Sequence, residues 1–513
     1  MDSPEKLAQV IQDFLADAET AIVLENGEPV FDFAAARYAL STEYGKCVLH
    51  LWSAERNAVR RVVEAELKDG ALRLSVLRFG QTKPGKMEIC RGRDPRTPAQ
   101  RQAARTAYQQ RLQAVLERSF PGFHPERLTG SMDLEHSFSP VYTRGLLLRG
   151  GSGSAVLGVN AQEPQAAVDG ALTFALIWLD YCRRRAAQPR GGFNHVEGLK
   201  VFVPAGAGAI VRERMAHLNR EAARWQLYEF DEGEGALAEL DTSDRGNVAT
   251  RLVHGLDRSA VQERFAASIQ RVLAVAPEAD VAALSAAEVA FRLRGLEIAR
   301  ARLEPEAGSL GMIEQIVFGA GAKETVLTEE TAGRFAELAR QASAIRQADG
   351  PRTHPLWRMT PERWLESVVV NQPDALDERL DPQCVYSQVP AFAAGDRAMI
   401  DVLSVTREGR LAVLELKADE DIHLPLQGID YWTRVEWHRR RNEFTRFGYF
   451  AGRQLADEPA LLLLVAPALH VHPATDTLLR YLSPEVDCTL VGIDEHWRQG
   501  VRVVFRKKAA TVA

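Results

Sequence analysis

Apolar and polar positions change period several times along this 513-residue chain. Residues 4–18 carry the three-to-four-residue spacing of a short amphipathic helix. Short strand patterns follow at 20–24, 47–52, 59–67, 72–79 and 87–90, with turns at Asn26-Gly27, Asp69-Gly70 and Pro84-Gly85. Such spacing predicts a small antiparallel barrel or sandwich over 1–97. Helical spacing over 98–118 then gives way to two apolar runs, 145–148 and 155–159, around Gly150-Gly151-Ser152-Gly153. An amphipathic stretch over 168–185, a strand at 201–204, a helix over 207–218 and a strand at 226–230 complete a unit spanning 98–235. Residues 236–355 are rich in Ala, Glu and Arg. Helical periodicity at 260–273, 286–293 and 331–346 predicts a mainly helical region with one strand at 313–318.

The last unit, 356–513, opens at Thr360-Pro361-Glu362, where a hydroxyl N-cap and a proline at the first helical position start a helix over 361–370. A second short helix (373–380) and an extended run (384–390) lead into the stretch Ala398–Lys417. There two apolar runs flank Thr406-Arg407-Glu408-Gly409-Arg410, a hairpin in which Gly409 suits the left-handed position closing a three-residue loop. With the turn centred on Glu408, Asp401 falls opposite Glu415. Glu415 and Lys417, two apart, share a face. Facing carboxylates repel, and a hard divalent cation, Mg²⁺ or Mn²⁺, relieves that repulsion. The alternative is a solvent-exposed strand end with a local Glu–Lys pair. Against it, both faces of Leu411–Leu416 are apolar, as in a covered central strand. Pro425 then opens a helix over 426–441. Gln427, Tyr431, Arg434 and His438 lie on one stripe of it, and Ile429, Trp432 and Val435 turn towards the core.

The order of elements in 98–235 recurs in 356–513, which points to an internal duplication. Aligning Ala155–Asn160 with Ala412–Lys417 sets Gly158 at the position of Glu415, Asn160 at that of Lys417, and Arg144 at that of Asp401. The first copy then keeps the frame and lacks the charges.

Composition narrows the class. With 46% hydrophobic and 26% charged residues and a net charge of −6, the chain has an ordinary globular balance. Nucleic-acid contacts would therefore come from local basic patches. One is the run from Arg78 to Arg105, with eight Lys/Arg including Arg91 and Arg93. Another is Arg439-Arg440-Arg441, for which a helix C-terminus favoured by the dipole is an equal explanation. Five scattered cysteines with no Cys-x-x-Cys spacing predict reduced thiols and a cytoplasmic setting. No signal peptide is evident at the start and no apolar run reaches membrane-spanning length, so no membrane partner is expected. Gly319-Ala-Gly-Ala-Lys-Glu-Thr325 lacks the Gly-Lys-Ser/Thr ending of a phosphate loop, so no nucleotide cofactor is expected.

Glu366 on the helix, Ile400-Asp401-Val402-Leu403, Glu415-Leu416-Lys417, then Gln427 with Tyr431 on the next helix: this ordered set resembles the PD-(D/E)XK nuclease superfamily. Its layout is most similar to NucS-type mismatch endonucleases and Holliday-junction resolvases. The resemblance covers residues 358–500, and Ala398-Met399 stands where Gly-Arg commonly precedes the Ile-Asp. It implies an α/β chain with a restriction-endonuclease-like C-terminal domain, a mixed central sheet flanked by helices. A degenerate copy of that fold, the helical region and the β-rich N-terminal domain would precede it.

The function so implied is metal-dependent hydrolysis of DNA phosphodiester bonds, in repair, restriction or processing of unusual DNA structures. Asp401, Glu415 and Glu366 are the expected metal ligands, and Lys417 would orient the attacking water and offset transition-state charge. Gln427 and Tyr431 would position that water or the phosphate. Arg434, Arg439, Arg440 and Arg441, with Arg91 and Arg93, are the expected DNA contacts. A homodimer would supply a second site for the second strand. The alternatives are a nucleic-acid-binding protein using the nuclease fold as a scaffold, and an interaction protein without catalysis.

Overall fold

The computed structural model of the protein describes residues 3–16, 21–25, 28–33, 36–42, 46–52, 57–68, 71–77, 84–91, 98–188, 195–246, 248–305, 311–320, 324–393 and 396–509. The chain divides into two compact units. One comprises Met1–Arg96, His254–Ser367 and Phe392–Ala398; the other comprises Thr97–Val253, Val368–Ala391 and Met399–Ala513. It is a mixed α/β protein, with four sheets among the described residues.

In the first unit, α1 (Pro4–Ala16) precedes β1 (Ala21–Glu25), β2 (Glu28–Asp32), β3 (Arg37–Ser41), β4 (Cys47–Trp52), β5 (Asn57–Lys68), β6 (Ala71–Leu77) and β7 (Gly85–Arg91). These strands form one antiparallel sheet in the order β2-β1-β7-β6-β5-β4-β3. Leu7, Ile11, Phe14 and Leu15 of α1 share a core with Val23, Leu49, Leu72 and Ile89, the i, i+4, i+7, i+8 stripe of a helix lying on a sheet. The expected strands are present. The expected barrel or sandwich is instead an open sheet: β2 and β3, successive in the chain, sit at opposite edges, and no described pairing joins them. The turns at Asn26-Gly27 and Asp69-Gly70 lie outside the described residues.

The second unit begins with α2 (Pro98–Ser119), β8 (His124–Pro125), β9 (Tyr142–Arg149), β10 (Ser152–Val159), α3 (Gln165–Asp169), α4 (Ala171–Ala186), β11 (His195–Pro204), α5 (Ala209–Met215), β12 (Arg224–Asp231) and β13 (Ala236–Leu240). Strand β13 completes this sheet beyond residue 235.

The chain then returns to the first unit with α6 (Arg258–Arg264), α7 (Ala266–Leu273), β14 (Asp280–Ser285), β15 (Glu288–Leu293), β16 (Leu296–Pro305), β17 (Met312–Phe318), β18 (Thr325–Val326), α8 (Ala332–Ile345), α9 (Pro355–Arg358) and α10 (Pro361–Asn371). This corrects the mainly helical reading of 236–355. A five-stranded antiparallel sheet lies within it beside the helices, and the helix expected at 286–293 is strand β15. The missed signal is the turn Arg294-Gly295, where both residues have positive φ, 46° and 77°. That is the primed geometry of a two-residue hairpin, with arginine in a place usually taken by asparagine or aspartate. Gly295 cannot be replaced there, because a Cβ would collide with the Arg363 carbonyl.

The chain ends with α11 (Pro373–Leu376), β19 (Leu380–Ala393), β20 (Asp396–Thr406), β21 (Leu411–Leu416), α12 (Leu424–Arg439), α13 (Glu443–Arg446), β22 (Leu461–Pro467), α14 (Thr475–Arg480), β23 (Cys488–Ile493) and β24 (Val503–Lys508). Its sheet repeats the connectivity of the β8–β13 sheet. From β9 to β13 the pairings run antiparallel, parallel, parallel, antiparallel. From β20 to β24 they run the same way. Helix α4 lies on β10 and β11 as α12 lies on β21 and β22.

The two sheets share one apolar core. Helix α5 packs on α12 and α4 on α14. Leu218 and Leu482 form an antiparallel bridge, flanked by Asn219 N–H donating to the Tyr481 carbonyl (2.8 Å) and Ser483 N–H donating to the His217 carbonyl (2.8 Å).

His217 is buried beside this seam, edge-on to Trp432 at 5.3 Å between ring centroids. Burial, then the nearby Arg245 charge, lowers its imidazole pKa from 6.5 to about 4. The unfolded chain therefore binds the extra proton between those values. The stability contributed is complete above pH 6.5 and is lost as the pH falls towards 4, up to about 3 kcal/mol. His217→Phe should flatten that acid limb, as read from urea midpoints at pH 7 and pH 4.5. An acid limb identical to wild type would refute this.

Candidate active site

The hairpin β20–β21 is built as its sequence predicts. Gly409 has φ of 91° and its N–H donates to the Thr406 carbonyl (2.9 Å), while Thr406 N–H donates to the Arg410 carbonyl (2.7 Å). The loop is thus Arg407-Glu408-Gly409. Pairing runs from Val405↔Leu411 to Val402↔Leu414, and one further step in that register sets Asp401 opposite Glu415. Leu403, Val405, Leu411 and Val413 enter the same core as Leu426, Ile429 and Trp432 of α12. Alternation therefore turns Asp401, Glu415 and Lys417 to the α12 side as well.

Glu415 is buried to 1% exposure. Its Oε1 lies 3.1 Å from Lys417 Nζ, and Asp421 Oδ2 is 3.8 Å from the same ammonium. Asp401 Oδ2 accepts the Leu416 amide at 3.0 Å, and Lys417 N–H donates to the Val465 carbonyl at 2.9 Å. The Asp401 carboxylate thus ties β20 to β21, and Lys417 ties β21 to β22. Across from them, the Tyr431 phenol is held well above its ordinary pKa, first by burial and then by the charges of Glu415 and Asp401. Tyr431 therefore stays protonated and able to donate. Gln427, one turn earlier on α12, has its Oε1 buried with no hydrogen-bond partner among the described residues.

Other expected site residues have partners of their own. Glu366 on α10 is buried, ion-paired to Arg363 at 3.0 Å, and belongs to the first unit. Arg434 is buried, donating to the Asp430 carbonyl (2.7 Å) with Glu213 at 3.6 Å. Arg439 is held by Glu436 (2.8 Å) and Asp457 (2.6 Å). Those two guanidiniums have protein carboxylates as partners here. Arg440 is more than half exposed, 3.6 Å from Glu436, and Arg441 stacks on Trp437 at 3.4 Å. Arg91 ends β7, its side chain outside the description; Arg93 lies outside the described residues.

The site's counterpart in the β8–β13 sheet differs by one residue from the sequence alignment. Arg144 pairs with Leu157, whereas Gly158 pairs with Thr143. Gly158 turns to α2, where a Cβ would collide with the Tyr108 hydroxyl, and Leu157 and Val159 turn to α4. Leu157 and Val159 therefore stand where Glu415 and Lys417 do, since a one-residue slip changes the face. Arg144 packs its guanidinium over Phe138 at 4.5 Å and Trp178 at 5.7 Å and donates to the Ser131 carbonyl at 2.7 Å.

Two features were missed from sequence. Asp421 joins Lys417, and the acidic run Asp419-Glu420-Asp421 was its only signal. A polar cleft of about 350 Å³ beside α2 is lined by Gln102, Arg105, Gln109, Arg127, Thr129 and Ser131. Arg105 is paired there to Glu163 at 2.7 Å, and exposed Arg127 has no ion pair among the described residues.

Among the described residues no group of three or more His, Cys, Asp or Glu side chains is gathered for a metal ion. The Asp401 carboxylate, bonded to the Leu416 amide, and the carboxylate of the neighbouring Glu415 are an all-oxygen donor set. That set fits Mg²⁺ or Mn²⁺, which keep several waters and need only one or two protein carboxylates. No described helix is long and apolar enough to cross a membrane. No protein-family model matches the chain, and no curated protein matches it.

Proposed function

We propose that this chain is a metal-dependent DNA endonuclease of the PD-(D/E)XK type, with its working site on the β20–β21 hairpin. The observation that carries the reading is Asp401, whose Oδ2 accepts the Leu416 amide, beside Glu415 with Lys417 Nζ 3.1 Å from it, against a helix bearing Gln427 and Tyr431. A buried glutamate beside a second carboxylate and a lysine is costly for stability alone, and costly buried charge marks function. The strand directions of the β20–β24 sheet, with α12 and α14 as crossovers, also fit a restriction-endonuclease-like domain.

Bound Mg²⁺ or Mn²⁺ would polarise the phosphoryl oxygen and acidify a water. Asp401 and Glu415 would hold that ion. Lys417 would hold the attacking water and offset charge building on the phosphate. The Tyr431 hydroxyl and Gln427 would orient the phosphate or the water from the helix side. Arg440, Arg441 and Arg127 would meet a DNA backbone.

Single-stranded, duplex, mismatched and branched DNA incubated with purified protein in Mg²⁺ or Mn²⁺ should be cleaved in at least one form. Excess EDTA should remove that activity and re-added Mn²⁺ restore it. Cleavage that survives EDTA sinks the metal-dependent reading. Binding without cleavage of any form would leave a nucleic-acid-binding scaffold.

A further inference from the structure

Resting on that reading, we infer that the chain is an internal pseudo-dimer with a single working site, acting as a monomer that cuts one DNA strand per encounter. The contacts between the two sheet units are reciprocal, as in an isologous dimer. Helix α5 of the first packs on α12 of the second, and α14 of the second packs on α4 of the first. An arginine near the second crossover helix of each unit meets an aspartate on the first crossover helix of the other. These pairs are Arg214 with Asp430 at 2.6 Å and Arg480 with Asp180 at 3.3 Å. The bridge Leu218↔Leu482 joins the segments following those helices, where a local twofold axis would pass.

This face is buried. Val211, Met215 and Leu218 share one apolar core with Trp432, Leu478, Leu479 and Leu482. A second molecule has no access to it, so the homodimer drawn from sequence loses this face as its interface. The partner that the face already has is chemically blank. Arg144, Leu157 and Val159 replace the acid, acid and lysine, and the Arg144 guanidinium fills the space between Phe138, Trp178 and the Ser131 carbonyl. One hydrolytic event then forms one new P–O bond from water and breaks one P–O ester bond. The water's protons leave on the freed sugar hydroxyl and to solvent, and the complementary strand stays intact.

Supercoiled plasmid carrying a cleavable feature, incubated with the full chain in Mn²⁺ beside Glu415→Gln, tests this. Open circles should accumulate before linear DNA, with a rate first order in protein, and sedimentation should give 56.8 kDa. Linear DNA appearing together with open circles, at a rate rising with the square of protein concentration and with twice that mass, overturns the inference while leaving the nuclease reading intact. If no cleaved form appears, or Glu415→Gln cleaves like wild type, the catalytic reading falls and single-strand cutting falls with it. Sedimentation still decides the monomer independently.

Discussion

Replacing Glu415 by Gln should lower DNA cleavage by at least about 10²–10³-fold, the scale seen when one preorganised electrostatic contact is lost. The substitution keeps shape and removes charge at a side chain that is 1% exposed, so the core should stay intact. Lys417→Met should lose as much activity and also cost stability. Glu415 then keeps its buried charge without the ammonium at 3.1 Å, a loss of about 3–5 kcal/mol for a buried pair broken on one side. That contrast separates site from scaffold. Both variants should be inactive, and only Lys417→Met should unfold markedly earlier in urea. A second readout needs no substrate: Mn²⁺ should raise the Tm of wild type, by mass action on a folded-state site, and leave that of Glu415→Gln unmoved. Wild-type cleavage by either variant would end the assignment.

Trp432→Ala should be the most destabilising single change outside the site, about 3–5 kcal/mol for a buried large-to-small substitution. The indole is 2% exposed, donates to the Ala460 carbonyl at 2.8 Å, and meets His217 edge-on across the seam between the two sheet units. Its removal empties the core and leaves a buried carbonyl unpaired. Trp437, five residues along the same helix, is only half-buried and stacks on Arg441, so Trp437→Ala should cost less than about 1 kcal/mol. Urea denaturation of the two variants side by side checks this, and equal losses would show that the seam does not depend on Trp432.

The hairpin was legible because all its determinants are local. Gly409 takes the left-handed place, the apolar runs alternate, and counting from Glu408 brings Asp401 to Glu415. The helix α12 was legible for the same reason, since Pro425 and the spacing of Ile429, Trp432 and Val435 depend only on neighbours. The arginines were not. Arg434 and Arg439 look like surface charge in a string of letters, and only the folded chain brings Glu213 and Asp457 to them. Strand β15 was hidden because the alanines around it favour helix, and the Arg294-Gly295 turn is not a standard pairing.

By itself, then, the sequence determined the local chemistry: an acid–acid–lysine set on a hairpin, a helix carrying Gln427 and Tyr431 behind it, and two runs of elements in the same order. Tertiary structure decided the rest. It opened the N-terminal strands into one sheet and built a sheet from the region read as helical. It shifted the counterpart of Glu415 in the β8–β13 sheet from Gly158 to Leu157 and closed the two sheets of the second unit against each other through α5 and α12, α4 and α14. The physical reason is common to all four. Strand register and helix packing are set by which apolar faces meet at long separation in the chain, and one residue of register reverses which side chains face a site.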